Sequence, residues 1–355
     1  MSTFSQKHGL AGGRFFLLFA VCLSVLVGCD DPPDSSPANS KLEQAAEETF
    51  IKGLGFLSEG DHPKAIELFN QAIALNPNHE EAYKRRSRTY VKIGAIRKAV
   101  EDMSTLIAMS PDDADRYMNR GNIYLNAGKL FLAIEDFGRT IDLNPDEARA
   151  FGSRGQAYAN LGEYKLALED LDQAISMDDA YITAWHNRAV VYNELDMPEK
   201  ALNDAGKALE LGPDDVASLN ARGVALHKLK RLKEAITDFS RAIAVNKTKP
   251  NAWSNRGMVY LDLDRPKKAL FDFQNADKLL QNHPVLQFNL GRAHAALGNN
   301  ELAIQHLTRA IELDSTMSIA YAERANAYRR DGQLGKAKAD MEQMERRKLH
   351  KDNGL

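Results

Sequence analysis

From Ala114 to Glu147 the chain reads ADRYMNRGNIYLNAGKLFLAIEDFGRTIDLNPDE, and small or apolar residues recur there at helical spacing twice over. Tyr117, Gly121 and Tyr124 are three or four residues apart, which puts them on one helix face. Asn126-Ala127-Gly128 interrupts the pattern, and Ala133, Phe137 and Ile141 resume it in steps of four. Asn144-Pro145 ends the second helix, because proline has no backbone N–H to donate. Two amphipathic helices this short cannot bury their own apolar faces, so the stretch predicts neighbours of the same kind.

The neighbours are in the sequence. A 34-residue ruler laid on Ala114 gives nine units, starting at residues 46, 80, 114, 148, 182, 216, 250, 284 and 318, with no insertion or deletion. Position 20 of the unit is always alanine, from Ala65 to Ala337, and position 8 is always small, as at Gly53, Ser87, Gly121, Gly223 and Gly257. Position 4 is usually bulky (Tyr83, Tyr117, Phe151, Trp185, Trp253) and position 11 usually tyrosine (Tyr90, Tyr124, Tyr158, Tyr192, Tyr260, Tyr328). Two small residues facing each other let helices approach closely, and a larger one there would overpack the contact.

This pattern resembles the tetratricopeptide repeat over nearly the whole region from 40 to 351. The resemblance implies an all-α fold, a right-handed superhelical solenoid of nine tandem helix-turn-helix units, with the first helix of each unit lining a concave groove. Pro77, Pro111, Pro145 and Pro213 occupy the expected stop at position 32, but Asp179, Lys247, Gln281 and Ser315 replace it elsewhere, which puts local turn geometry in question. The last second helix, Gln333 to about Lys348, is polar, as a terminal unit requires, and residues 352–355 read as a frayed tail.

A second pattern runs through the units. Position 7 is arginine in seven of them (Arg86, Arg120, Arg154, Arg188, Arg222, Arg256, Arg324), and the same seven carry aspartate at position 23 (Asp102, Asp136, Asp170, Asp204, Asp238, Asp272, Asp340). The first unit has Lys52 and Leu68 instead, and the eighth has Leu290 and His306. Residues present together and absent together predict ion pairs between the two helices of a unit; shared ancestry without contact is the other explanation.

By the resemblance, positions 2, 5, 6, 9, 12 and 13 face the groove. That surface is rich in amides: Asn119, Asn122, Asn126, Asn187, Asn193, Asn220, Asn255, Asn289 and Asn326. An amide offers donors and acceptors together, so a ladder of them holds an extended peptide backbone without demanding one sequence; soluble filler on an exposed helix face is the alternative. Lys84, Arg85 and Arg88 make the most basic part of the groove, suited to an acidic segment. The first unit turns Phe50, Ile51, Leu54 and Leu57 to the same side, either packed beneath a preceding helix or forming an apolar docking patch.

Composition narrows the choice. The chain of 355 residues has a formal charge of −3, which becomes −5 without residues 1–28, whose charged residues are Lys7 and Arg14. With no basic block, nucleic acid is not the expected partner. Phosphate loops, His-x-x-x-His pairs and nucleophile elbows are absent, so no enzyme, cofactor or metal site is expected. His294 and His306 share the eighth unit, and without further ligands they read as a packed, uncharged pair; they are all that a metal-dependent enzyme would rest on.

The N-terminus reads as an address. Lys7 and Arg14 precede the apolar run Phe15–Val27, too short to cross a bilayer comfortably but suited to a secretory signal peptide (1–28). Leu26-Val27-Gly28-Cys29 resembles the lipobox of bacterial lipoproteins, which implies cleavage before Cys29 and acylation, palmitate included, of that residue; an ordinary signal peptide with a chance cysteine is the alternative. Residues 29–39 form a Pro/Ser/Asp tether spanning roughly 30 Å at about 3.3 Å per residue, and Ser40-Lys41-Leu42-Glu43 has capping-box spacing for the first helix. Asp30-Asp31 resembles an inner-membrane retention signal. The expected molecule is a lipid-anchored scaffold of the bacterial cell envelope, on the periplasmic face of the inner membrane. It would bind extended segments of envelope proteins in its groove, or serve as a structural part of an export, pilus or polysaccharide-secretion machine. The sequence leaves its partner and oligomeric state open.

Overall fold

The computed structural model describes residues 37–352, and within them the chain is eighteen α-helices that alternate as first and second helices of nine units. The expected signal peptide, Cys29 and most of the expected tether lie outside the described residues, as do 353–355. No helix among the described residues is long and apolar enough to cross a membrane. From the second unit onward, first helices begin at position 1 of the ruler, as in α5 (Ala114–Asn126), and second helices at position 17, as in α6 (Leu130–Leu143).

The first unit departs from this. Its first helix, α1 (Pro37–Ser58), is continuous and starts three residues before Ser40, so the capping-box start is corrected: no glycine or proline interrupts 38–52, and Pro37 is already set for a first helical turn. Among the described residues no separate preceding helix covers Phe50. Its ring, 5% exposed, instead lies 5.7 Å from Phe69 and 4.8 Å from the His79 ring. Leu54 and Leu57 pack partly against that cluster, while Ile51 stays 56% exposed.

Two kinds of turn make the array regular. Inside each unit the chain reverses at position 15 in the left-handed region; Gly60, Gly94, Gly128, Gly162, Gly298 and Gly332 hold φ between 70° and 83° there. Asp196, Lys230 and Asp264 take the same conformation at φ 53–60°, where a Cβ is strained. Lys230→Gly should therefore raise stability by about 0.5–1 kcal/mol, the relief of strain less the added chain freedom, read as a higher urea midpoint. Between units, second helices end at position 30, with position 31 as the cap, whether or not proline follows. Where Asp179, Lys247 and Ser315 replace proline, the side chains of Asp178, Asn246 and Asp314 accept the N–H two residues on and close the turn, as Asn76 does beside Pro77.

Packing explains the invariant columns. The position-20 alanines are at most 2% exposed, and large side chains at position 24, such as Phe69, Phe137, Phe239 and Phe273, are fully buried. Those rings fill the space over position 8: a Cβ on Gly223 would lie 2.5 Å from Phe239, and one on Gly121 2.8 Å from Phe137. From the third unit on, first helices of successive units touch one another, while second helices make no comparable contact among the described residues. The array therefore curves with its first helices on the inner side and its second helices outside.

Candidate functional site

Seven buried braces set the geometry of the inner surface. In each of the seven units the arginine Nε and Nη2 donate to both carboxylate oxygens of the aspartate sixteen residues on, at 2.5–3.1 Å. The aspartate hydrogen bonds outweigh burial at Arg120, Arg154 and Arg222 and hold those guanidiniums protonated beyond their usual range. Aromatic rings at positions 4 and 11 flank the arginine: Arg188 lies 4.9 Å from the Trp185 ring centre and 6.0 Å from that of Tyr192.

The remaining guanidinium nitrogen does something the sequence reading missed. Nη1 reaches position 25 of the preceding unit: Arg86 to Asn70 (2.6 Å), Arg120 to Ser104 (3.0 Å), Arg188 to Asp172 (2.6 Å), Arg256 to Ser240 (2.9 Å) and Arg324 to Thr308 (3.0 Å). Each of these arginines joins three helices. Position 25 is glycine before Arg154 and Arg222 (Gly138 and Gly206), and those two side chains are the most exposed of the seven, at 23% and 31%. A Cβ at Gly206 meets nothing within 4 Å. Gly206→Ser should thus supply an acceptor for Arg222 and match or exceed the about 0.5–1 kcal/mol that Gly206→Ala gains from reduced chain freedom, although serine is the poorer helix former; denaturant midpoints compare the two.

A further brace was also missed. Position 3 is alanine in five units but Arg116 in the third, and this arginine is 5% exposed. It donates to Glu80 of the second unit (2.9 Å), to Asp113 (2.8 Å) and to the Leu106 carbonyl. The break in the alanine column was the available signal.

The eighth unit replaces its brace with a histidine pair. His294 and His306 stack with ring centres 5.3 Å apart and planes 5° from parallel. Gln287 Oε1 accepts from His306 Nδ1 at 2.9 Å, so His306 carries a proton on Nδ1; Gln287 Nε2 in turn donates to Asp277 at 2.8 Å. Burial pushes both imidazoles below their ordinary range. No cluster of three or more metal-ligating side chains occurs among the described residues.

The amide ladder is interrupted. Asn119 and Asn126 are exposed and Asn122 half-buried. Asn187, Asn193 and Asn289 are buried, at 6%, 4% and 2% exposure, which corrects their reading as open groove amides. Asn193 donates to the Ala221 carbonyl of the next unit at 3.0 Å and serves as framework, because Ala221 is small enough to let the two helices close over it. Asn187 and Asn289 have buried Nδ2 groups without a partner among the described residues. Asn255 donates to Asn220 at 2.9 Å across two units, and Asn326 accepts from Arg329 at 2.8 Å.

Two recesses remain along the inner surface. The first, of about 230 Å³, brings together Lys84, Arg88, Asn119, Asn122 and Asn126 over a floor that includes Met103. Arg85 is not part of it and pairs with Glu81 at 2.7 Å. Lys84 lies 3.8 Å from Glu80, whereas Arg88 and the exposed Lys92 hold no side-chain bond among the described residues. The second, of about 440 Å³, spans the fifth to seventh units and has His186, Asp215, Asn220, Lys249 and Asn251 on its walls. Between them the Tyr181 ring fills the floor over Gly152, where an added Cβ would lie 2.6 Å from its Cε1.

Family comparison identifies the same kind of repeat. Models described as tetratricopeptide repeat match residues 56–119, 118–182 and 285–317, and one described as TPR repeat matches 225–264. This chain is a tetratricopeptide-repeat protein. Among curated proteins it is similar to Hsp70-Hsp90 organizing protein 3 of Arabidopsis thaliana, 37% identical over 70 residues, which is 18% of this chain and 12% of that protein. Hsp70-Hsp90 organizing protein 1 of the same plant is 42% identical over 45 residues, 13% of this chain and 8% of that one. The matches thus span about an eighth or less of these relatives' length. In fold it is similar to a tetratricopeptide repeat protein from Parabacteroides merdae (TM-score 0.61, 19% identity, covering 70% of this chain and 99% of that one). It is also similar to a chain of the APC/C hetero-tetramer Cut9-Hcn1 (TM-score 0.61, 16% identity, 84% and 72% covered). Tetratricopeptide-repeat proteins bind protein or peptide partners, and this one has the fold of a protein-interaction scaffold.

Proposed function

We propose that the protein is a membrane-tethered adaptor that holds an extended, acidic segment of an envelope protein along its inner surface. The observation that carries this reading is the recess at the second and third units. There Arg88 has no side-chain partner among the described residues, and Lys84 and three accessible amides stand beside it. Cations can meet side-chain carboxylates while Asn119, Asn122 and Asn126 bond the backbone between them. The anchor belongs to the same reading: acyl chains on Cys29 would place the groove near the periplasmic face of the inner membrane.

A photo-crosslinking residue at Asn119, in the native envelope, tests the groove. The expected product joins Asn119 to an extended acidic segment and is lost, about tenfold or more, on Arg88→Glu. Crosslinks to a folded pore or pilus subunit, indifferent to Arg88→Glu, would support a structural part of a secretion machine instead. The tether is tested by labelled palmitate, which should enter the wild-type protein and not the Cys29→Ser variant.

A further inference from the structure

The outer surface carries a feature that the groove does not require. In the sixth and seventh units equivalent recesses of about 290 Å³ open beside the arginine brace. Their chemistry differs. The sixth-unit recess is lined by Arg222 and Arg231 against Glu234 and Asp238, an equal balance of charge, and Arg231 is bound by Glu234 through two hydrogen bonds of 2.7 Å. The seventh-unit recess has Arg256, Lys267 and Lys268 against Asp272 alone, and Asp272 is already held by Arg256, leaving two positive charges in excess.

Aromatic groups complete the second recess. Position 22 is exposed in every unit and reads Glu67, Glu101, Glu135, Glu169, Asn203, Thr237, Gln305 and Ala339 in the other eight. In the seventh it is Phe271, 59% exposed, set edge-on to Trp253 at 6.2 Å and facing Tyr260 across the recess. Consecutive lysines at positions 18 and 19 also occur in this unit and in no other. The helix that carries them, α14 (Pro266–Leu279), offers no free carboxylate: Asp272 is in the brace and Asp277 accepts from Gln287. An exposed ring where the array otherwise places polar or small residues, flanked by uncompensated cations, matches a ligand that is anionic and apolar at adjacent points.

We propose that the outer recess of the seventh unit is a second docking site, for an acidic protein segment that carries a bulky apolar side chain. The apolar side chain lies on Phe271 and Tyr260, and flanking carboxylates meet Lys267 and Lys268. The site faces away from the groove, so it does not depend on what the groove binds.

The test uses the full chain and a fluorescein-labelled peptide, Glu-Glu-Asp-Phe-Glu-Asp, with zero-length carbodiimide crosslinking of its carboxylates to lysines and mapping of the sites. Lys233 stands at the position of Lys267 in the neutral sixth unit and is the internal control. The expected result is labelling of Lys267 or Lys268 about tenfold above Lys233. A similar loss should follow Phe271→Glu, which restores a residue type the array uses at that exposed position, or phenylalanine to serine in the peptide. Equal labelling of Lys233 and Lys267, or indifference to Phe271→Glu, would overturn the proposal. So would Phe271-dependent binding to phosphatidylserine vesicles without enriched peptide labelling, which would make the surface a lipid contact. Labelling at Lys84 or Lys92 reports on the inner groove and leaves the two sites separately readable.

Discussion

Asp136→Ala should cost about 3–5 kcal/mol of stability, because it removes one partner of a buried ion pair and leaves the other charged. The Asp136 side chain is 4% exposed and takes two hydrogen bonds from Arg120, at 2.8 and 2.7 Å. Without it, Arg120 Nε and Nη2 face the helix interface with no acceptor, and only its bond to Ser104 remains. Replacing both residues together, Arg120→Met with Asp136→Leu, removes the charge and keeps the volume, and should cost far less than the single change. Urea unfolding of the wild type, both single variants and the double variant checks this. Equal losses in Asp136→Ala and the double variant would show that the pair contributes nothing as a pair.

Acidification should open the eighth unit before the rest. Burial holds His294 and His306 below the imidazole range they have in an unfolded chain, about 6.5. The unfolded state then binds more protons than the folded one, so their contribution is fully present above about pH 6.5 and is lost as pH falls below it. A second proton meets a second penalty, since two imidazolium rings 5.3 Å apart repel. Asp277, linked to His306 through Gln287, is the carboxylate that partly offsets this. The triple variant Leu290→Arg, His294→Tyr, His306→Asp installs the residues that other units carry at those positions. Wild type should lose stability as pH falls from about 6.5 to 5, with limited proteolysis cutting first between α15 (Pro284–Ala296) and α16 (Asn300–Leu313). The triple variant should keep that segment closed; the same acid loss in both would remove the histidines as its source.

The sequence was most legible where one residue type solves a problem in every unit. Ala65 to Ala337 and the small residues from Gly53 to Ala325 mark the helix contacts, and a fixed 34-residue spacing carries them to the right places. Arg120 and Asp136 were legible as partners because both disappear together in the eighth unit. The link from Arg120 to Ser104 was not, since any oxygen at position 25 serves: Asn70, Ser104, Asp172, Ser240 and Thr308 leave no constant column. The amides failed for a different reason. Whether an asparagine at the groove is open depends on the unit beside it, as when Ala221 admits Asn193 into the interface, and that is a property of two units rather than one. Phe271 was present in the sequence all along, but its meaning needed the exposure of position 22.

Gly138 bears on how the whole array moves. Side-chain hydrogen bonds cross the joints between units one and two, two and three, four and five, six and seven, and eight and nine. At the joints before Arg154, Arg222 and Leu290 the arginine bond to position 25 is missing. A hydrogen bond resists rotation because it is directional, whereas apolar contact is not. Asn193 bonds the Ala221 carbonyl across the joint before Arg222, and Gln287 bonds Asp277 across the joint before Leu290. Bending is thus concentrated at the joint before Arg154, between the third and fourth units, and the solenoid flexes as two blocks, of three and six units. The recess around Arg88 sits inside the first block and the one around Asp215 inside the second, so a ligand reaching from one to the other would lock the curvature of the array.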